Sequence, residues 1–192
     1  MNASTPAPAK AARHAFTLED VLRLQDQGFF ADPKRIALHE GDIVEMAADG
    51  DRHIALTMAL NDAITLQLAG KGYFKGVQTT LRLSRTNAPS PDIYILAGGP
   101  PRGDVPTARV LLVIEVADTS LDDDLTDSAQ RYARAGVGEF WVVDAKRRAI
   151  WVHRGPVDGR YPPPQAVPAD APATPQQIPD LTIVLDRDAP EA

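Results

Sequence analysis

The chain has 192 residues, no cysteine and a formal net charge of −6. That length suits one domain with a core of its own, and the missing cysteines exclude disulfides and thiolate metal sites, so any metal must be held by oxygen or imidazole. The negative balance argues against a protein that coats nucleic acid through a broad basic surface, while leaving room for a local groove.

Residues 1–15, rich in Ala, Pro, Ser and Thr without a period, read as a disordered N-terminal arm. They lack the apolar stretch of a signal peptide, and nowhere does an apolar run approach the roughly 20 residues of a spanning helix. The expectation is a cytoplasmic protein with no membrane contact. Thr17 reads as a helix N-cap, followed by Glu19 and Asp20 in the first turn and an apolar side of Val21, Leu22 and Leu24, with Gly28 ending the helix. Arg35–His39 and Asp42–Met46 flank Glu40-Gly41, a compact hairpin signal. Over 51–69 Leu56, Leu60, Ile64 and Leu68 recur every four residues and predict a helix that Gly70 and Gly72 stop.

Thr79–Leu83 alternates side-chain type and predicts a strand; Ile93–Leu96 predicts another. Val110–Val116 is apolar on both faces up to Glu115, the pattern of a strand central in a sheet. Ser120 reads as the cap of a helix over 121–135, with Leu125, Ala129 and Tyr132 inward and Gly136 at its end. Phe140–Val143 and Ala149–His153 predict two strands around the polar turn Asp144–Arg148. Prolines then crowd 156–179, which predicts a surface loop before a last strand, Leu181–Leu185. The expected fold class is α/β (α+β): a central mixed β-sheet flanked by α-helices. The expected organisation is an arm over 1–15, a main domain over 16–155, and a Pro-rich loop with a C-terminal strand over 156–192 packing on that domain.

Two acids stand out. Asp92 follows Pro91, which cannot donate to a ladder and so places the pair at a strand start or bulge. Glu115 lies inside an apolar run, where a carboxylate is costly unless compensated. A divalent cation compensates two such acids, and magnesium commonly takes one or two carboxylates plus water. Alternatively, Asp92 caps a turn and Glu115 pairs with an arginine; spacing alone does not separate the two.

Several segments in order carry a resemblance: Gly41-Asp42-Ile43-Val44-Glu45-Met46, His53 opening a helix, Ser90-Pro91-Asp92, Val113-Ile114-Glu115-Val116, Asp124 through Tyr132-Ala133-Arg134-Ala135-Gly136-Val137, and Glu139-Phe140-Trp141-Val142-Val143-Asp144. Together they resemble the PD-(D/E)XK nuclease superfamily, and more closely its family called Uma-two, described as putative restriction endonucleases. The resemblance implies a restriction-endonuclease-like fold and a magnesium- or manganese-dependent endonuclease that hydrolyses DNA. It implies Asp92 and Glu115 as metal ligands with the backbone carbonyl of Val116 as a third oxygen. An acid of the first hairpin, Asp42 or Glu45, would complete the site; Asp42 is preferred, its alternative being an exposed hairpin residue.

This sequence departs from the pattern at the lysine. The superfamily position holds Ala117, and the position four residues after Asp124 holds Ser128. Arg131, on the same helical face as Asp124, could reach a phosphate but cannot act as a base at neutral pH; Lys75 is another substitute. The rival expectation is a weakened or inactive nuclease fold that binds nucleic acid or protein. A homodimer is the expected assembly. His53 is open between a structural role and a place in the site, while Tyr132 and Trp141 are expected in the core.

Overall fold

The structure, a computed structural model, describes residues 14–187. Helix α1 (Leu18–Asp26) starts in a reciprocal capping box: Asp20 N–H donates to Thr17 Oγ1 at 3.2 Å, and Thr17 N–H donates to Asp20 Oδ2 at 3.0 Å. Strands β1 (Ile36–His39) and β2 (Asp42–Glu45) form the expected hairpin. Both turn residues, Glu40 and Gly41, have positive φ, at 50° and 92°. A turn of that kind matches the strand twist and needs glycine where space is short: a Cβ on Gly41 would lie 2.6 Å from that of Ala15.

The main sheet has six strands in the order β3 (Tyr73–Val77), β4 (Ile93–Ala97), β5 (Val110–Ala117), β6 (Glu139–Asp144), β7 (Ala149–Arg154) and β8 (Gln165–Val167). Only β5 and β6 run parallel; the other neighbours are antiparallel. The apolar run of β5 therefore lies inside the sheet, as its two-sided pattern predicts. Helix α2 (Asp51–Leu68) lays Leu56, Leu60, Ile64 and Leu68 on one face, against Ile93, Ile114, Val116 and Trp141. The opposite face packs Val113, Phe140 and Val142 against Ala129 and Tyr132. Each large side chain so buried contributes about 1.5–3 kcal/mol.

Three expectations are corrected. Thr79–Leu83 is not a sheet strand; it is an extended arm held by single bonds such as Leu81 N–H to Pro89 C=O at 2.8 Å. The strand beside β4 is instead Tyr73–Val77, whose Gly76 hides its alternation because the Tyr94 ring lies across it. The helix over 121–135 is interrupted: α3 (Leu121–Asp123) passes through a π turn (Asp124–Ser128) into α4 (Ala129–Arg134). Ser120 makes no capping bond to the backbone there. The Pro-rich segment is also more regular than expected. Gln165–Val167 forms the edge strand β8, where neighbouring prolines disturb no second ladder. The last strand shrinks to β10 (Ile183–Val184), paired with β9 (Pro172–Ala173). Ile178, Leu181, Ile183 and Leu185 pack into the α2-side core. Buried Glu139 ties this segment down, accepting from Trp141 Nε1 at 2.7 Å, Arg154 Nε at 2.9 Å and Gln176 N–H at 2.8 Å. The expected arm, 1–15, lies outside the described residues except for its last two.

Two stability predictions follow from the packing. A Cβ at position 76 would come within 2.1 Å of Tyr94 Cζ, so Gly76→Ala should cost about 1–3 kcal/mol by overpacking. Urea denaturation should show a lower midpoint at unchanged slope; an unchanged midpoint would mean that the Tyr94 ring swings aside freely. His153 is buried with neither ring nitrogen hydrogen-bonded among the described residues, and burial holds its pKa down from 6.5 to about 4. The unfolded chain thus takes up a proton in that window that the folded chain refuses. Stability should be whole above about pH 6.5 and fall, on the order of 2 kcal/mol, as pH drops toward 4. His153→Phe should flatten that part of the profile; an identical acid slope in both proteins would assign it elsewhere.

Candidate functional site

Asp92 stands immediately before β4 and Glu115 near the end of the adjacent β5, where Ile93 pairs with Ile114. Each carboxylate is held by the other residue's neighbourhood. Asp92 N–H donates to Glu115 Oε2 at 3.1 Å, and Val116 N–H donates to Asp92 Oδ2 at 2.8 Å. The β-bend at Pro91-Asp92 frees the amide that Glu115 uses, which is how a proline at a strand start serves the site. Two further side chains complete the support. His53, on the first turn of α2, places Nε2 3.0 Å from Asp92 Oδ2, with Nδ1 3.6 Å from Asp49 Oδ1. Tyr132 of α4 donates its hydroxyl to Glu115 Oε1 at 2.8 Å.

The π turn adds a third acid. A π turn inserts one residue into the helical repeat and re-aims what it carries. Here it presents Asp124, whose Oδ2 accepts from Ser120 Oγ at 2.6 Å and whose Oδ1 accepts from Ser128 Oγ at 3.0 Å. Ser120 and Ser128 thus serve the aspartate rather than the helix backbone. Apart from Tyr132, which is buried behind Glu115, these groups open on one cleft of about 580 Å³, lined by His53, Asp92, Glu115, Val116, Asp124 and Arg131 among others.

The electrostatics follow from crowding acids in a partly dry place. Burial, then the charges of Asp92 and Asp124, push the Glu115 carboxyl well above the usual carboxylate range, against the opposing bonds from Asp92 N–H and Tyr132. Burial raises Asp124 too, while the Ser120 and Ser128 hydroxyls and Arg131 oppose it. Burial by itself would lower His53, but its bond to Asp92 and the charges of Asp92, Asp49 and Asp124 outweigh it and raise the imidazole. Burial and the neighbouring Glu115 raise the Tyr132 phenol, so it stays a donor.

The donor chemistry suits a hard cation. Among the described residues the hydrogen bonds to the Asp92 side chain go to Oδ2, which leaves Oδ1 without a partner there. Among the described residues no group of three His, Asp or Glu side chains could hold an ion unaided. One or two carboxylates, completed by water, are what magnesium usually takes from a protein. The residues present therefore fit such an ion.

Of the sequence candidates, Asp92, Glu115, Val116 and Arg131 come together in the cleft. Asp42 does not join the pair. It is exposed and lines an adjoining groove with His39, Val44 and Arg131. Alternation along β2 turns Glu45 the other way, toward Phe29 and Phe30. Lys75 is no substitute cation: its ammonium is taken by Asn61 and Thr65 of α2, 2.8 Å from the Asn61 carbonyl. Asp49 and Asp118 of the cleft were missed. Asp118 is 3.0 Å from Arg52, and separations of this length leave no periodic trace in a single sequence. The roles of Asp124 and of the Tyr132 hydroxyl were missed as well, since both residues sit at ordinary helix positions.

Among curated proteins no sequence match is found. Among solved structures, the chain is similar to a crystal structure described as a putative nuclease belonging to DUF820 from Anabaena variabilis ATCC 29413, with a TM-score of 0.64 and 15% identity, covering 88% of this chain and 95% of that one. At that identity the likeness shows the fold. A family model matches residues 18–187, nearly all of the described structure. The chain therefore belongs to the Uma2 family, whose description is "Putative restriction endonuclease".

Proposed function

We propose that the chain is a metal-dependent nuclease that hydrolyses phosphodiester bonds of DNA. The observation that carries the reading is the interlocked Asp92–Glu115 pair, opening into a cleft whose wall also holds Arg131. Asp92, Glu115 and the Val116 carbonyl would hold Mg²⁺ or Mn²⁺, which supplies a Lewis acid for a phosphoryl oxygen and lowers the pKa of an attacking water. The chain's own groups divide the remaining work. His53 and Val116 N–H fix the Asp92 carboxylate, while Tyr132 and Asp92 N–H fix that of Glu115. Orientation of this kind, set before substrate arrives, is what makes a charged site effective. Arg131 offers a fixed positive charge to a phosphate and cannot take its proton.

A second reading has a specific observation in its favour. Ala117 is buried and apolar, and the Ser128 hydroxyl is spent on Asp124. Neither lysine position of the family pattern supplies an ammonium, so the fold would bind nucleic acid and cut it slowly or not at all. The two readings share the metal site and differ in turnover.

Calorimetric titration with Mn²⁺ should give saturable binding to the wild type, weakened at least about tenfold in Asp92→Ala, as removal of a ligand requires. Equal affinity in both proteins would end the metal assignment.

Plasmid cleavage in Mn²⁺ separates the two readings. Wild-type cutting should be slow, Ser128→Lys should raise it by about tenfold or more, within the few kcal/mol that one positioned charge contributes, and adding Glu115→Ala should abolish the gain. Lys75→Ala should change nothing. Fast wild-type cleavage that survives Glu115→Ala would overturn the mechanism.

A further inference from the structure

The acidic cleft does not end at its own rim. A groove of about 320 Å³ opens from it, sharing Met46, Asp49, Ser90 and Asp92 with its wall. A second groove of about 250 Å³ opens elsewhere, sharing His39, Val44 and Arg131. The three run together as one channel, with the Asp92–Glu115 pair in its middle stretch.

Each arm carries positive charge that no carboxylate answers. In the first, a 3₁₀ turn over Pro33–Arg35 sets Lys34 and Arg35 in the wall, begun by Lys34 N–H donating to Asp32 Oδ1 at 3.1 Å. Lys34 is exposed, and its ammonium has no partner among the described residues. Arg35 Nε donates to the Met46 carbonyl at 2.8 Å, which fixes the guanidinium without cancelling its charge. This arm is also tied to the acids through Gln78. That residue takes a left-handed φ of 46°, which costs free energy for a residue with a Cβ and concentrates at binding sites. Its N–H donates to the Asp92 carbonyl at 2.9 Å, and its Nε2 donates to Asp49 Oδ2 at 3.1 Å.

In the second arm, half-buried Arg131 makes no ion pair or side-chain hydrogen bond among the described residues. Half-buried His39 stands with it, and neither of its ring nitrogens is hydrogen-bonded there or sealed from solvent. Burial, then the Arg131 charge, holds this imidazole at a pKa of about 4, so it is neutral at physiological pH and offers one donor and one acceptor. Asp42 and Asp127 also line this arm, and Glu40 is tied to Arg134 at 3.1 Å. The grip there belongs to Arg131 and His39 rather than to a basic face.

A small phosphate ester would reach one arm only. A ligand that uses both is extended and carries negative charges in series on either side of the group presented to Asp92 and Glu115. We propose that the channel takes a single DNA strand several nucleotides long, with a phosphate on one side of the cleavage position paired with Lys34 and a phosphate on the other held by Arg131 and His39. A single strand suits it better than a duplex, because it brings less charge per unit length to a protein of net charge −6. The identity of the ligand rests on the nuclease reading.

The test is fluorescence anisotropy in EDTA with a labelled thymidine dinucleotide, a twelve-nucleotide oligothymidylate and a GC-rich duplex of twelve base pairs. It is run on the wild type and on Asp92→Asn Glu115→Gln, a variant that keeps both side-chain shapes and takes metal binding and cleavage out of the readout. In both proteins the long single strand should bind saturably, about tenfold or more tighter than the dinucleotide or the duplex. Lys34→Ala and Arg131→Ala should each weaken it and each lower the slope of log affinity against log salt by about 0.7, as loss of one contact to a single-strand phosphate does. His39→Ala should weaken it about threefold to tenfold with the slope unchanged, since a neutral group releases no counterion. At least one of His39→Asn and His39→Gln, which keep a donor, should restore most of that loss. Lys71→Ala, beyond the other end of α2, should change neither affinity nor slope. The proposal is overturned if the long strand does not bind saturably, if the dinucleotide or the duplex binds as tightly, or if Lys34→Ala and Arg131→Ala leave the slope unmoved. Cleavage of the long strand in Mn²⁺ is read separately: binding of the expected pattern without any cleavage leaves the channel standing and removes the nuclease reading.

Discussion

Placing two carboxylates at the end of a buried strand pair is the constraint that organises this molecule. A bare carboxylate in such a place is expensive, and the chain offsets the cost locally: the amide of each strand reaches across to the other strand's acid. That exchange works only if β4 and β5 are neighbours, if Ile93 pairs with Ile114, and if Pro91 leaves the Asp92 amide out of the ladder. The sheet order, the bend at Pro91 and the position of α2, which delivers His53, all bear on one pair of side chains. Core and site are for this reason not separable. Removing the support of either acid would leave the other beside an unbalanced charge in a poorly solvated position.

The π turn is the second organising feature. A regular α-helix over the same residues would carry its side chains round in steps of about 100°. The extra residue lets a short stretch serve both sides, with Asp124, Ser128 and Arg131 lining the acidic cleft and Thr126 and Gln130 lining a separate pocket with His153 and Tyr161. Hydroxyls of Ser120 and Ser128 clamp the aspartate at the turn, which gives an interrupted helix its own local hydrogen bonds. Turns of this type concentrate at functional sites because they trade helical regularity for a re-aimed side chain.

Charge reinforces the same picture. The acidic cleft brings Asp49, Asp92, Glu115, Asp118 and Asp124 together with Arg131 and His53, and the protein as a whole is negative. A negative surface of this kind repels other polyanions over most of its area, and Arg131 is a positive group in the cleft that opposes that field.

Local chemistry made much of this legible. The capping box at Thr17, the positive-φ turn at Glu40-Gly41, the four-residue stripe of α2 and the two-sided apolar run of β5 are short-range signals, and each produced the element it announces. Asp92 and Glu115 were also readable, since a Pro-Asp step and an acid inside an apolar strand are anomalies that a single sequence displays. Strand β3 was hidden by Gly76, whose missing side chain makes room for Tyr94 and erases the alternation. The π turn was hidden because nothing in residue type separates it from an α-helix. Which acids complete the site depended on spatial neighbours: Asp42 stays outside, Asp124 and Asp49 enter, and Lys75 is spent on α2. The sequence by itself determined the elements and the central acids, because propensity, capping and periodicity act within a few residues. Only the tertiary structure decided the partners of those acids, because contacts between distant segments depend on sheet order and helix placement, which no local pattern encodes.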